Sequence, residues 1–540
     1  MNVKKDFGTR VRDKLLPYFV FPAVVGVITG VFIFVFKLAA SFVMHKSEQI
    51  YEFARENPVY LPLLLLGVVF VGLIAGVILK YAKECRGGGI PTATATIRGL
   101  LPLKWIQCIF GLFISAMLTY LAGAPLGNEG PSVQMGTAVG KGMSSTFGKK
   151  NRAWERYNMT GGASAGFAIA TGSPLSGIVF ALEELHRRFS PPVFIVAAVS
   201  VLCGTATSNL LSSLLDVKVS LFNFEIGNVL PAKFLWIAFA IGLACGISAN
   251  LLTKLYHLAK KLLVNPSEKI SFVVKIIVIF LLVGVLGFVS ADFVGSGHSL
   301  VETIFDGHAI WHLLLIAFLV RALVMVIANN IGISGGVFVP TLALGAIIAS
   351  LISDGLVAIG AVGGEYYPIL VVIGIASFLS ASSRIPLTAL TFAVEAMSAA
   401  ANILPVATGV VISYLVVEML GVPSFTDTVI ESRVHSANGG KTPLVVDSHM
   451  RVQRGAFAVG MEIRDILWPY TCTILSISKN DDTASRGHHI VAEGDVLHLH
   501  YRTYDPAETL RLLTDILGEQ DEDDAARVHE ADVNHVVPGD

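Results

Sequence analysis

Long stretches without a charged residue are the strongest constraint on how this chain folds. They occupy residues 15–36, 61–79, 189–215, 234–253, 322–353 and 396–417. Each is long enough to cross the hydrocarbon core of a bilayer, which takes roughly 20 helical residues. The sequence is 54% hydrophobic and 15% charged, against about 25% charged in a typical soluble domain. We therefore predict an all-α polytopic membrane protein embedded in lipid. A disordered protein and an ordinary cytosolic enzyme are excluded. The net charge of −1 also excludes a basic nucleic-acid binder.

Charge is concentrated towards the C-terminus. Residues 432–540 carry 28 of the 79 charged residues, so a domain boundary is predicted near Ser432. We assign 1–433 to a transmembrane domain, 434–443 to a linker, 444–518 to a small α/β regulatory lobe and 519–540 to an acidic, disordered tail. In the lobe, strands are predicted at 444–447, 472–478 and 496–501, and helices at 460–467 and 506–517.

Loop charges predict the orientation in the membrane. Basic residues precede the first apolar stretch, and others form clusters at 149–156 and 186–188. By the positive-inside rule these segments face the cytoplasm. We therefore expect a multi-pass protein of the cell membrane with cytoplasmic N- and C-termini. We expect no cleavable signal peptide, because no small-residue cleavage site follows the first apolar run.

Three glycine-rich motifs precede short apolar segments. They are 87–91 (GGGIP), 127–131 (GNEGP) and 335–340 (GGVFVP). Glycine allows a close approach of the backbone, and proline suits the first turn of a helix. A helix N-terminus offers free N–H groups and a positive partial charge, so it can bind an anion without a formal positive charge. For any one motif alone we favour helix packing, but the three together predict an anion site within the membrane.

Ionisable residues inside apolar sequence are costly in a membrane and therefore indicate function. Glu129 lies inside the second motif, where its carboxylate would compete with an anion for the same donors and move away when protonated. Glu184 is a candidate for an internal proton path, whereas for Glu183 we favour a solvated helix end paired with nearby arginines. Glu395 is interpreted as structural, accepting bonds from neighbouring backbone. Arg321 requires a partner or a water-filled vestibule.

No metal, cofactor or enzyme site is predicted. The five cysteines lack the spacing of a disulfide framework or a zinc site. The lobe also contains His488, His489, His498 and His500. Without a cysteine or acidic partner at fixed spacing, these histidines are interpreted as surface residues. No nucleophile triad, Walker motif or HExxH sequence supports an enzyme.

The motifs resemble those of the CLC family of chloride channels and chloride/proton antiporters. Residues 87–91 resemble its GSGIP motif, 127–131 its G(K/R)EGP motif and 336–340 its GxFxP motif. Residues 171–185 resemble the segment that ends at the inner, proton-transfer glutamate. The resemblance covers 7–433, with the motifs in the family's order. It implies a homodimer with one pore per subunit and an inverted repeat of broken helices. It also implies transport of chloride or another halide together with protons.

The same resemblance implies roles for individual residues. Glu129 matches the outer gating glutamate and Glu184 the inner proton-transfer glutamate. Channels of the family usually lack the inner acid, so its presence favours exchange over passive conduction. The implied anion-binding residues are Gly88, Gly89, Ile90, Gly130, Val337, Phe338 and Phe425.

Three departures from the family pattern concern the anion. Gly88 replaces a serine, Phe425 replaces a tyrosine, and Asn128 replaces a lysine or arginine. Two anion-donating hydroxyls are therefore missing, and we expect backbone N–H groups to hold chloride weakly, with loose proton coupling. A fluoride-exporting branch of the family also departs at these positions, whereas Pro131 and Phe338 resemble the chloride branch. Chloride/proton exchange is preferred, and fluoride/proton exchange and a passive anion channel are the alternatives.

The lobe has a resemblance of its own. Residues 455–467 and 493–500 resemble the C-terminal lobe of RCK/TrkA regulatory domains found on potassium transporters. Such lobes often dimerise and bind small ligands. We expect the lobe either to bind a small molecule or to clamp a dimer without one. A third function, a ligand-sensing lobe attached to a purely structural membrane part, would be excluded by any anion flux.

Overall fold

The structure is a computed structural model. It describes residues 11–87, 89–147, 152–217, 221–222, 224, 226–264, 270–307, 310–479, 482–483, 487–520 and 529–530. The predictions for Gly88 and for most of the acidic tail lie outside the described residues.

Helices α1 to α17 form the membrane part. The first half contains α1 (Phe21–Glu56), α2 (Leu61–Tyr81), α3 (Ile90–Ile97), α4 (Trp105–Leu121), α5 (Glu129–Phe147), α6 (Glu155–Thr171), α7 (Pro174–Phe180) and α8 (Pro191–Leu215). The second half contains α9 (Leu235–Ala259), α10 (Phe272–Val289), α11 (His298–Phe305), α12 (Trp311–Ile331), α13 (Phe338–Ala358), α14 (Tyr367–Ser383), α15 (Pro386–Ala396), α16 (Ile403–Met419) and α17 (Phe425–Ala437). Within the described residues, nine helices are long and apolar enough to cross a membrane: α1, α2, α8, α9, α10, α12, α13, α14 and α16. The prediction of an all-α polytopic membrane protein is confirmed.

The same succession of helices occurs in both halves. α5–α7 and α13–α15 each consist of a helix opened by a glycine-rich motif, a second helix packed on it, and a short helix that begins with Pro-Leu. α13 approaches α14 closely, because a Cβ atom on Gly345 would lie 2.5 Å from the carbonyl oxygen of Gly374. Gly136 of α5 meets Gly162 of α6 in the same way. The two short helices, α7 and α15, pack against each other, so equivalent pieces of the two halves meet.

Two of the apolar stretches are broken in the fold. Residues 322–353 contain the end of α12 and the start of α13, since Gly332 takes a left-handed conformation (φ 97°) that ends α12. Residues 396–417 begin where α15 has just ended and continue as α16. Backbone that leaves the helix at membrane depth is tolerated only inside protein or beside a watery cavity. The breaks therefore indicate the interior of the bundle.

The lobe is a small α/β unit. Its strands are β1 (Leu444–Arg451), β2 (Thr473–Lys479), β3 (Asp482–Thr483), β4 (Val496–Thr503) and β5 (His529–Glu530), and its helix is α18 (Pro506–Leu517). They form an antiparallel sheet in the order β3-β2-β4-β1-β5. Leu513 and Leu517 of α18 share one apolar core with Leu497 and Leu499 of β4. The three predicted strands and the helix at 506–517 are confirmed.

The structure departs from the predictions at two places near the lobe. α17 continues to Ala437, so a helix crosses the boundary placed at 433, because charge content does not mark a helix end. The helix predicted at 460–467 is wrong, since only the 3₁₀ turn Ile463–Asp465 forms there. The N–H group of Gly460 donates to the Val491 carbonyl at 2.8 Å. This segment therefore pairs with a neighbouring chain segment rather than forming helical bonds of its own.

Candidate functional site

The three glycine-rich motifs meet at one point. A Cβ atom on Gly130 would lie 2.6 Å from the Cα of Gly336 and 2.9 Å from the Cα of Gly89. Backbone approaches this close require glycine, because any side chain would overlap its neighbour. Each of the three glycines comes from a different motif. The convergence that the sequence predicted is therefore present in the fold.

Backbone hydrogen bonds hold this centre together. Gly127 and Gly336 exchange two of them, each with an N–O distance of 2.7 Å. The N–H group of Gly87 donates to the carbonyl of Gly332 at 2.8 Å. The second and third motifs are thus joined directly, and the first is tied to the loop that leads into the third.

Gln134 is a site residue that the sequence reasoning missed. Its Oε1 accepts the N–H group of Gly89 at 2.8 Å, and its Nε2 donates to the Glu84 carbonyl at 2.7 Å. The N–H group of Gly89, expected to serve an anion, therefore already has a partner. A lone amide side chain in an apolar segment, one turn after the second motif, was the signal that could have revealed it.

Four helix starts leave N–H groups outside the helical ladder. The first intrahelical hydrogen bonds of α3, α5, α13 and α17 are donated by Ala93, Ser132, Thr341 and Thr428. The N–H groups of the turn before have no partner within their own helix. Among them are those of Ile90, Gly130, Phe338 and Phe425, all predicted to hold an anion. α3, α5 and α13 start at the glycine centre, and α17 packs against α3.

Aromatic rings surround the predicted anion residues. The ring of Phe338 packs edge-to-face on Phe167 and Phe392, with centroid distances of 5.2 and 5.4 Å. The ring of Phe425 packs edge-to-face on Tyr256 at 5.5 Å. Val337 comes directly before α13, and its carbonyl accepts the first helical bond there. Apolar rings therefore cover the helix starts and limit their access to water.

Glu129 opens α5 and is 1% exposed. Its carboxylate folds back beside Gly127, where a Cβ atom would lie 2.5 Å from Oε2. That oxygen accepts no hydrogen bond from any described residue. A buried carboxylate oxygen without a donor is costly. This arrangement is typical of a group that changes its protonation or position.

Glu183 and Glu184 are consecutive but lie in different surroundings. Both belong to the π-helical turn Ala181–Leu185 that extends α7, and such turns are frequent at functional sites. Glu183 accepts the N–H groups of Leu387 and Thr388 in the first turn of α15, at 2.9 and 2.7 Å. Glu184 is 1% exposed, and although the Thr426 side chain lies beside its carboxylate, no donor among the described residues has hydrogen-bonding geometry to either oxygen. The expected pairing of Glu183 with arginines is wrong, because the start of α15 offers it better donors.

Glu395 has the same role in the other half. Its two carboxylate oxygens accept the N–H groups of Leu175 and Ser176, both at 2.8 Å, in the first turn of α7. α7 and α15 thus each receive a carboxylate cap from the other. The structural interpretation of Glu395 is confirmed, although its donors are distant in sequence. Of the four glutamates that the sequence singled out, Glu183 and Glu395 are satisfied by helix starts, and Glu129 and Glu184 retain unpaired oxygens.

A comparison with protein families identifies this arrangement. The family model described as voltage gated chloride channel matches residues 70–418, more than half of the chain. The chain belongs to this CLC family.

Solved structures support the CLC fold. A slow cyanobacterial Cl⁻/H⁺ antiporter matches with a TM-score of 0.69 and 23% identity, covering 78% of this chain and 99% of that chain. A CLC-type fluoride/proton antiporter matches with a TM-score of 0.62 and 18% identity over 79% and 99% of the two chains. A eukaryotic CLC transporter matches with a TM-score of 0.61 and 18% identity over 84% and 79%. At these identities the likeness shows the fold.

A second residue missed by sequence reasoning in this CLC chain is Lys37 of α1. It is 5% exposed, and its ammonium group donates to the carbonyls of Ile169 and Ala170 at 3.3 and 2.7 Å. It lies close enough to Glu129 for the two charges to interact. Its signal was a lone charge within an apolar run. Lys37 brings a positive charge towards Glu129, whose neighbour Asn128 supplies none.

Arg321 of α12 finds its partners in the backbone. Its guanidinium donates to the carbonyls of Asp292, Val294 and Gly295 at 2.9, 2.8 and 2.7 Å. Of the two expected alternatives, a partner and a water-filled vestibule, the structure shows a partner. Arg321 therefore fixes the chain before α11.

A cavity of about 1150 Å³ lies between the CLC membrane part and the lobe. On the membrane side its wall comes from the ends of α3 and α9 and from α17, and on the lobe side from residues 469–471 and 502–512. Tyr256, whose ring contacts Phe425, belongs to this wall. The cavity therefore reaches to within one aromatic ring of the start of α17.

The lobe histidines have acidic neighbours that the sequence reasoning did not find. His498 and His500 of β4 lie 3.8 and 2.8 Å from the carboxylate of Asp447 on β1, and His489 lies 2.9 Å from that of Asp495. Strand pairing, rather than sequence spacing, creates these contacts. Among the residues described, no three His, Cys, Asp or Glu side chains form a group that could hold a metal ion.

Proposed function

We propose that this CLC protein exchanges chloride for protons, with Glu129 as the outer gate and Glu184 as the inner proton-transfer acid. The observation that carries the proposal is the contrast among the four glutamates singled out by the sequence. Glu183 and Glu395 are fully used as helix caps, whereas Glu129 and Glu184 are buried with unpaired oxygens. Buried acids that structure does not use are candidates for moving protons.

The helix starts suggest how anion and proton compete. The N–H groups of Ile90, Gly130 and Phe338 lie outside the helical ladders and offer an anion the donors it needs. The carboxylate of Glu129 sits at the start of α5, so when charged it competes for these donors. α7 and α15 illustrate this competition, since carboxylates occupy their starts. Protonation of Glu129 would release the site for the anion, and Glu184 would deliver the proton from the other end.

Two alternatives share this site. Fluoride/proton exchange is favoured by the absence of hydroxyls at Gly88 and Phe425, and one structure of the same fold carries that title. A passive anion channel would not need the buried Glu184. We prefer chloride exchange because the retained Pro131 and Phe338 resemble the chloride branch.

The experiment is anion efflux from proteoliposomes with simultaneous recording of external pH, in chloride, fluoride and nitrate. Glu129→Gln mimics the protonated side chain, so anion flux should continue while anion-driven proton uptake stops. Glu184→Gln should likewise remove proton movement and keep anion flux. Glu183→Gln is the matched control, because it changes an adjacent carboxylate that caps α15, and its proton-to-anion ratio should equal that of the wild type.

The outcomes separate the alternatives. Anion flux without proton movement in the wild type would indicate a passive channel. Coupled flux in fluoride but not in chloride would indicate the fluoride exchanger. Unchanged proton pumping in Glu129→Gln or Glu184→Gln would refute the assignment of that residue.

We also propose a homodimer whose interface includes α7 and α15. Leu175 and Leu387 are 48% and 45% exposed, next to the half-buried Glu183 and Glu395. Half-buried carboxylates within a membrane are costly, and a second copy would cover them. Native mass spectrometry from detergent should show the dimer, and would detect any small molecule retained by the lobe. A monomer at all concentrations would contradict the proposal.

The lobe and residues 152–156 of the basic cluster lie on one side of the molecule, because Trp154 packs on Phe457 with a centroid distance of 5.2 Å. By the positive-inside rule we place this side, and both termini, in the cytoplasm of a cell-membrane protein.

We also propose that the lobe is an RCK/TrkA-C-like regulatory unit. The order of its main strands and of α18 supports this, and the missing helix at 460–467 weighs against it.

A further inference from the structure

Hydrogen bonds from the membrane part to the lobe concentrate on residues 465–470, here called the docking segment. Arg156 Nη1 donates to the carbonyl of Leu467 at 2.6 Å, the Tyr157 hydroxyl to that of Asp465 at 2.7 Å, and Arg188 Nη2 to that of Ile466 at 2.8 Å. Side chains of one partner thus bind the backbone of the other. Because these contacts bind backbone atoms, they fix the position of the docking segment against the membrane part.

The membrane side of this interface follows directly on the proton-transfer acid. Arg188 and Ser190 lie four and six residues after Glu184, and the Ser190 hydroxyl bonds the Asp465 carboxylate at 3.2 Å. Between them and Glu184, Arg187 takes a left-handed conformation (φ 52°), and the Arg188 N–H closes the turn on the Leu182 carbonyl at 2.9 Å. A residue other than glycine keeps this conformation only where its surroundings hold it.

Arg98 connects α3, the backbone of Glu184 and the lobe. It follows α3 directly and is 3% exposed. Its Nη2 and Nε donate to the carbonyls of Glu184 and Leu185 at 2.9 and 3.1 Å. Its guanidinium lies over the ring of Tyr470, in the docking segment, at 4.5 Å.

Arg98 is also tied to α17. Its Nη1 lies 3.6 Å from the carboxylate of Asp427, which Arg187 binds from the other side at 2.6 Å. α3 and α17 are the helices whose starts carry Ile90 and Phe425. One buried guanidinium therefore connects the end of α3 and the first turn of α17 to the backbone of Glu184 itself.

We propose that Arg98 is a positioning residue for proton transfer through Glu184, and that the docking segment of the lobe holds Arg98 and the Glu184 turn in place. This rests on the proposed exchange of anions for protons. Proton transfer needs the acid within hydrogen-bonding reach of its partner, so displacing the Glu184 backbone would slow proton loading. The point where α3, α5 and α13 begin lies at the other end of α3 from Arg98, so anion flux should persist. The lobe thereby contributes to the coupling between proton transport and anion transport.

The test measures protons moved per anion in proteoliposomes. Arg98→Gln removes the charge and most donors, and we expect the ratio to fall several-fold while anion flux continues. Arg98→Lys keeps the charge opposite Asp427 but cannot reach both carbonyls, so an intermediate ratio is expected. Tyr470→Ala should lower the ratio, whereas Tyr470→Phe keeps the ring and should preserve it.

Arg86→Gln is the matched control. Arg86 also donates to two carbonyls, those of Leu79 and Lys80, and lies over a ring, that of Phe272 at 4.0 Å, but it does not touch the Glu184 turn. Its loss should leave the ratio unchanged, whatever its effect on protein yield.

The experiment distinguishes failure of the positioning role of Arg98 from failure of the proposed anion/proton exchange. The wild type and Glu184→Gln are measured in the same vesicles, and a wild type that moves no protons would refute the proposed exchange. If the wild type is coupled and Glu184→Gln is not, an unchanged ratio in Arg98→Gln and Tyr470→Ala would overturn the positioning role alone. A parallel fall of anion and proton flux would mean that Arg98 only supports the fold.

Discussion

At the scale of single residues, the contact between Gly130 and its two neighbouring glycines gives the sharpest stability prediction. Gly130→Ala would place Cβ 2.6 Å from the Cα of Gly336, and backbone cannot move aside as a flexible side chain does. We expect a loss at or beyond the upper end of overpacking costs, about 3 kcal/mol, together with loss of transport. Thermal unfolding in detergent and the flux assay measure both.

The control is a glycine inside α13, the helix that Gly336 precedes. A Cβ atom on Gly355 of α13 would meet no atom within 4 Å. Gly355→Ala should therefore be neutral, or stabilising by up to about 1 kcal/mol, since alanine favours a helix. If both variants behaved alike, the crowding at Gly130 would not be the cause.

Phe425→Tyr tests the missing hydroxyl. A hydrogen bond to a charged group contributes about 1.5–3 kcal/mol, and each 1.4 kcal/mol is about tenfold in affinity. We expect at least about tenfold tighter chloride binding and tighter proton coupling if the site is otherwise suited to chloride. Calorimetric titration of chloride measures the change, and Phe425→Leu is the control without a hydroxyl. Wild-type affinity equal to that of Phe425→Tyr would show that the hydroxyl is irrelevant.

Sequence reasoning reached some residues and missed others for identifiable reasons. Glu129 lies inside a recognisable motif, so its candidate role could be inferred from the sequence. Glu183 was assigned the wrong partners because its donors lie about two hundred residues further on, and only the packing of α7 on α15 brings them together. Gln134 and Lys37 belong to no motif. Their partners are backbone groups of other helices, which a single sequence does not display.

At the scale of elements, the reciprocal caps of α7 and α15 predict that each helix depends on the other. Glu395→Ala removes the acceptors of two N–H groups and should cost about 2 kcal/mol of stability, given about 1.5–3 kcal/mol for a bond to a charged group. The proton-to-anion ratio should not change. Thermal unfolding and flux are measured on the same preparation.

Glu418→Ala is the control for this prediction. Glu418 is 53% exposed and pairs with Arg384 at the end of α16. Exposed ion pairs contribute about 0–1 kcal/mol, so the variant should unfold close to the wild type. Equal destabilisation by the two variants would argue against the caps.

Element boundaries were predictable where local sequence sets them. α2, α8 and α18 match their apolar patterns closely because proline opens them and the pattern ends with them. Residues 322–353 contain no charge to mark the break between α12 and α13, and only the glycine-rich motif at 335–340 indicated a helix start there. Residues 460–467 have helical spacing, but their hydrogen bonds go to 487–491, a tertiary preference that overrides local propensity.

At the scale of the whole molecule, the stability of the lobe should depend on pH through one thiol. Burial raises the pKa of Cys472 to about 12, whereas an unfolded thiol has a pKa of about 8.5. The group favours the folded state below pH 8.5, and this contribution is lost as pH rises towards 12. Between pH 8 and pH 10 the lobe should lose about 2 kcal/mol through Cys472.

Pulse proteolysis of the full chain in urea, at pH 8 and pH 10, measures this loss as a lower urea midpoint for the lobe. Other groups titrate over the same interval, so Cys472→Ala is measured beside the wild type, and the difference between the two isolates the thiol. An equal pH effect in both proteins would rule out the burial of Cys472 as its source.

The global organisation followed from composition, since apolar stretches and the charge break predicted a membrane bundle with a separate lobe. The contacts between the membrane bundle and the lobe could not be predicted from composition. The contacts of Arg98 with the Glu184 backbone and with Tyr470 join three distant segments. Each of these residues alone resembles an ordinary helix end or loop.

The glycine centre also constrains how this protein can change over generations. Gly89, Gly130 and Gly336 occupy one small volume with room for no added atom. A side chain on Gly130 would demand that two distant stretches of backbone retreat at once, whereas one on Gly89 or Gly336 would overlap the backbone of the motif that contains Gly130. We therefore expect these three positions to remain glycine, because an added Cβ at any of them would overlap backbone. Among descendants of this gene, new anion preferences should arise at residues such as Phe425, Asn128 and Lys37, never at the glycines.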